Sequence, residues 1–154
     1  MSKIIDLGCR VADIHHRYHA IHDALFGAAS FRLLIDALRG RRRRAYSEFS
    51  QSLTELKDEL NPLLPKISDL EAEPPAKVRD RELQHALLEY AEALGAVIEV
   101  LRTIFVNLEK DETVYRETGP DGRSGFTRDK VQYDQLLLEL ERLGTRLNRL
   151  FSNY

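Results

Sequence analysis

Four stretches of this chain carry apolar residues at alternating steps of three and four, and that spacing limits its fold more than any other feature. The first stretch is Ile4, Leu7, Val11, Ile14, Tyr18, Ile21 and Leu25. The second runs Phe31, Ile35, Leu38, Arg42, Tyr46, Phe49, Leu53, Leu56 and Leu60, with Arg42 the one charged residue in the series. The third is Leu83, Leu87, Tyr90, Leu94, Val97, Leu101, Ile104 and Leu108, and the last is Tyr133, Leu136, Leu140, Leu143, Leu147 and Leu150. At about 3.6 residues per turn each series winds into one stripe along an α-helix. No stretch shows the alternation of a strand. Four long amphipathic helices must bury their stripes against one another, so the expected fold is all-α, an up-down-up-down four-helix bundle.

The punctuation between the stripes sets the expected boundaries. Ser2 is placed to cap the first helix, and Gly27 and Ser30 suit the turn that ends it. The second stripe keeps its phase through GRRRR at 40 to 44, which predicts one helix from about 31 to 61. The alternative is a fifth segment, with the second helix broken at Gly40. Asn61 to Pro75 holds four prolines and forms a long connection, its Leu63, Leu64, Ile67 and Leu70 tucked against the bundle end. Ile98, Val100 and Phe105 widen the third stripe, so its 97 to 105 portion is expected to be the most deeply buried. Arg116 to Phe126 is rich in turn residues, and Thr127 is a candidate N-cap for the last helix.

A chain of 154 residues is the size of one domain, here expected to span residues 1 to 154. Its single cysteine, Cys9, excludes an internal disulfide and fits a reducing compartment. The first residues lack the apolar core of a secretory signal, and no run approaches the roughly 20 apolar residues of a membrane span. A cytoplasmic location is expected. Net charge is only -2, so the total gives no sign of a nucleic acid partner. No sequence motif calls for a cofactor.

Residues 13 to 23, DIHHRYHAIHD, hold four of the five histidines. With successive residues about 100° apart, His15 and His22 lie roughly 60° to 80° from the stripe centre, His19 about 120°, and His16 almost opposite. They flank the core. His15, His19 and His22 are the candidate metal ligands, because side chains three or four apart meet on a helix, yet a site would need a further ligand from another helix. The Glu82 to His85 pair has the Glu-x-x-His form found in di-iron bundles, which require two such pairs. Solvated or interface histidines are the simpler reading, and they can still titrate near neutrality.

Four consecutive arginines on a helix point in different directions. Arg42 falls on the apolar stripe and needs a carboxylate, for which Asp13 is the candidate. Arg39, Arg41, Arg43 and Arg44 are left as a short basic patch able to meet RNA or DNA phosphates or an acidic protein surface. Arg79-Asp80-Arg81-Glu82-Leu83-Gln84-His85 resembles the Arg-x(4-6)-His motif of HEPN ribonucleases, small helical dimers. The resemblance covers seven residues; it would give Arg79 a phosphate-binding role and His85 a proton-transfer role, with Asp80 as polar companion. Such a pair suits phosphate-ester cleavage, which needs a cation on the oxygens and a group titrating near neutrality. The plainer reading is the polar first turns of a helix.

Leu137 and Leu138 lie about 80° and 180° from the stripe of the last helix, apolar surface that an isolated bundle does not need. The expected function is therefore a non-enzymatic bundle that binds a protein partner, forms a homodimer or serves in an assembly. Nucleic acid binding or HEPN-like cleavage is the second expectation, and a histidine-ligated metalloprotein the third.

Overall fold

The computed structural model describes residues 3–27, 40–70 and 78–153, apart from the side chain of Arg79. Five helices occupy these residues: α1 (Lys3–Phe26), α2 (Arg42–Leu60), α3 (Leu63–Ser68), α4 (Val78–Arg116) and α5 (Gly125–Ser152). The fold is an all-α bundle of long helices packed against each other. None of the helices among the described residues is long and apolar enough to cross a membrane.

The stripes turn inward as the spacing requires. On α1, Val11 and Tyr18 are 1% exposed, and on α2 Leu53 and Leu60 are fully buried. The third stripe forms the centre of the molecule. Leu87, Leu94, Val97, Ile98, Leu101 and Phe105 are all fully buried, so the buried length extends well before residue 97. Helix α4 packs along α2, α5 and α1, whereas the backbone of α5 comes close to that of α4 alone among the described helices. Tyr46 and Phe49 of α2 lie against Phe105, and Leu60 against Gly95, so α2 runs antiparallel to α4. Helix α5 is also antiparallel to α4, with Arg146 bonded to Glu89 at one end and Tyr115 to Asp129 at the other.

Several boundaries differ from the sequence expectation. The second helix is not continuous through Gly40. Gly40 has a φ of 72°, which a right-handed helix cannot accommodate, and α2 starts only at Arg42. Hydrophobic phase can survive such a break, so the stripe gave no warning of it. Ser2, Ser30, Phe31, Ile35, Leu38 and Arg39 lie outside the described residues. The cap of α5 is Ser124, whose Oγ accepts from the Thr127 backbone N–H at 3.0 Å and donates to the Thr127 hydroxyl at 2.9 Å. Thr127 is thus the N3 partner of the cap, and the helix begins two residues earlier.

Within the 61 to 75 connection, α3 buries Leu63 and Ile67, while Leu64 and Leu70 pack half-buried against the core. Pro65 is tolerated there because first-turn N–H groups have no intrahelical partner to lose. Helix α4 breaks at Asp111, where φ is -161° and ψ is 91°. The Asp111 carboxylate accepts from the Val114 N–H at 3.2 Å and so recaps the final turn.

Candidate functional site

The edge of the bundle between α1 and α5 is built unlike the others. No Cα of α1 lies within 8 Å of one in α5, and long side chains span the gap at its two ends. At the first end the Phe151 ring covers Gly8 so closely that a Cβ on Gly8 would stand 2.9 Å from Phe151 Cζ. A mid-helix glycine is disfavoured by about 1 kcal/mol relative to alanine, and this contact is the reason for it here. At the second end Tyr133 of α5 shares a hydrogen bond with the Tyr18 hydroxyl and lies 2.7 Å from His22 Nδ1. The Phe26 ring stacks beyond it, 5.6 Å from Tyr133 and 6.3 Å from Phe126.

Between these bridges lies a groove of about 730 Å³, floored by Leu87 and Tyr90 of α4. Its α1 wall holds Ala12, His15 and His19, and its α5 wall Leu137, Glu141, Gly144 and Thr145. Gly144 leaves room for Tyr90, whose Cε2 would be 3.2 Å from a Cβ at that position.

The histidines line one rim of this groove. His15 is half-buried and stacks on Tyr18 at 5.9 Å, with its edge toward Tyr90 at 6.0 Å. Burial, with the neighbouring His19 and His16, lowers its pKa below the usual value, so the imidazole is neutral at pH 7. His22 is lowered for the same first reason, burial, with His19 adding to it. His19 stacks on His22 at 5.7 Å and reaches Asp23 at 3.4 Å. His16 is exposed. Among the described residues no three His, Cys, Asp or Glu side chains are arranged to hold a metal ion. The inner side of α1 is taken by apolar groups and the flank by ring stacking, which is why no ligand from another helix completes the set.

Burial pushes the Tyr18 and Tyr133 hydroxyls far above their usual pKa, and Tyr90 up to about 12. All three are neutral hydrogen-bonding groups under ordinary conditions. A neutral His22 can accept the Tyr133 proton at Nδ1, which leaves Tyr133 Oη to accept from Tyr18.

The arginine run does not pair as the stripe suggested. Arg42 bonds the Tyr46 hydroxyl at 2.6 Å and Glu112 at 3.0 Å, while Asp13 pairs with Arg17 at 3.1 Å on its own helix. Glu112 also accepts from Tyr46 at 2.9 Å and from Arg116 at 2.8 Å, tying the start of α2 to the recapped end of α4. The start of α2 explains the change, since it places Arg42 at the far end of α4, beside Glu112. Arg41, Arg43 and Arg44 are exposed, with Arg44 paired to Glu48 at 3.2 Å. Arg39 lies outside the described residues.

His85 is exposed on the opening turns of α4 and bonds Glu89 at 2.9 Å. The position of Arg79 is in the first turn of that helix, and its side chain is not described. Because Arg42 meets Glu112 at the other end of α4, the arginine run and the Arg79–His85 fragment are roughly 40 Å apart along the helix. They do not converge on one basic groove.

Leu137 and Leu138 have separate positions. Leu137 is half-buried on the groove wall, whereas Leu138 is 68% exposed on the outer face of α5. Val131, seven residues earlier on that face, is 45% exposed. Sequence reasoning missed Tyr90, Gly144 and Phe151. Gly8 and Gly144, two of the mid-helix glycines, were the available signal, since an unexplained glycine in a helical stripe often marks a close approach. No family model, curated protein or solved structure matches this chain.

Proposed function

We propose that this protein is a non-enzymatic helical bundle that works by association, as a subunit that meets a second copy of itself through the outer face of α5. One observation carries the reading: Leu138 is 68% exposed on a helix that already buries Tyr133, Leu140, Leu143 and Leu147. Val131 stands one heptad before it, the spacing that lets two helices lie along each other. Two ion pairs beside this face lie within the helix, Arg142 with Glu139 and Lys130 with Asp134, so a second copy need not break a pair made to another helix. A net charge of -2 adds little repulsion between copies. Contact between two α5 helices across a two-fold axis would bring each Leu138 against its counterpart.

The test is the mass in solution of the native chain and of Leu138→Asp. The expected result is a dimer for the native chain and a 17.8 kDa monomer for the variant. Native protein that stays monomeric to high micromolar concentration would remove the reading.

A further inference from the structure

From the edge between α1 and α5 we infer that the groove is a binding site for a small, uncharged amphiphile, an apolar molecule carrying one hydrogen-bonding head such as an alcohol or ketone. This site is separate from the outer face of α5 and stands or falls without it. Its volume of about 730 Å³ lies in the range of small-molecule sites, roughly 300–1,000 Å³. The two bridges decide what kind of occupant fits. A partner helix laid along the groove would have to dislodge Phe151 from Gly8 and break the Tyr133 contacts to Tyr18 and His22, whereas a compact ligand sits between them.

Two polar groups give the head its place. Tyr90 is 8% exposed, and no side chain among the described residues hydrogen-bonds its hydroxyl. No fully enclosed side-chain N or O among the described residues lacks a partner, so the Tyr90 hydroxyl is one that the groove reaches. His15 faces it across 6.0 Å between ring centres, held by ring stacking and offering one donor and one acceptor. Because the groove reaches this hydroxyl, a ligand head seated there can bond both Tyr90 and His15. Leu87, Leu140, Leu147 and Phe151 surround the remaining space and suit an alkyl or aryl body.

Charge selects against an acid. Among the described residues the only carboxylate in the lining is Glu141, and no lysine or arginine lines the groove to neutralise an anion. An ammonium head would reach Glu141 only at the exposed rim and would have to leave water to meet Tyr90 and His15.

The experiment is a fluorescence titration of the full chain with N-phenyl-1-naphthylamine, an uncharged probe, followed by displacement with 1-decanol, decanoate and decylamine. The expected result is saturable binding that 1-decanol displaces, with the two charged competitors about ten-fold or more weaker. Ala12→Phe fills the groove from an exposed position on α1 and should abolish probe binding, with helicity and unfolding midpoint retained. Thr145→Phe does the same from the opposite wall if the first variant folds poorly. Tyr90→Phe keeps the ring and removes the hydroxyl; 1-decanol affinity should fall about five-fold, the loss of one hydrogen bond. Absence of saturable binding, or unaltered binding in a folded groove-filling variant, overturns the site. Tighter competition by decanoate or decylamine than by 1-decanol overturns the uncharged head.

Discussion

The edges of α4 that meet α2 and α5 are closed by interlocking apolar side chains, while the edge between α1 and α5 is joined, among the described residues, by long side chains at its ends, most of them aromatic. Phe105 packs between Tyr46 and Phe49 on the closed side, and Leu94, Val97, Ile98 and Leu101 are wholly buried. On the open side α1 presents Gly8, Ala12 and half-buried His15, and α5 presents Gly144, Thr145 and exposed Glu141. Short or polar flanks cannot interdigitate, so the backbones stay apart and long side chains cross at the two ends, Phe151 at one and Tyr133, Phe126 and Lys130 at the other. The difference teaches that an amphipathic helix closes an edge only when its flank, as well as its stripe, carries apolar bulk.

The comparison breaks first on stability. Leu101→Ala, in the wholly buried face of α4, should cost about 2–5 kcal/mol, while Leu137→Ala on the groove wall should cost less than about 1 kcal/mol, both read by urea denaturation. Equal losses would mean that the two edges are packed alike. A smaller effect is expected at the bridge. Tyr133→Phe removes the hydroxyl that meets both Tyr18 and His22 and should cost about 1–3 kcal/mol. Amide exchange should then quicken in α1 more than in α2; uniform quickening would show that the bridge is not local to this edge.

The smallest effect is a dependence on pH. Burial holds the folded-state pKa of His15 and His22 below the ordinary 6.5, so between those values the unfolded chain binds protons that the folded chain does not. Their contribution is complete above about pH 6.5 and is lost as pH falls through 6.5 toward the folded values. Tyr133, Tyr18, Phe26 and His19 face His22, with Lys130 lowering its pKa further and Asp23 and Asp134 opposing the shift. Protonation turns Nδ1 into a donor, so Tyr133 must turn its own proton toward Tyr18 and the chain of hydroxyls reverses. The urea midpoint should decline from pH 7 to 5, and His22→Gln should flatten that slope. An unchanged slope in the variant would place the dependence elsewhere.

The periodicity of Leu, Ile and Val determined that the chain is helical and which faces turn inward, because a side chain's direction around a helix is a local property of 3.6 residues per turn. The margin position of the histidines was legible on the same ground. Other features depended on which helices became neighbours. Gly40 interrupts a stripe whose phase is unbroken, and the new helix sends Arg42 to Glu112 and leaves Asp13 with Arg17. Tyr90, Gly144 and Phe151 became one groove only because α1 and α5 stand on α4 with flanks too small to meet, a separation written in three segments of the chain and decided by their packing.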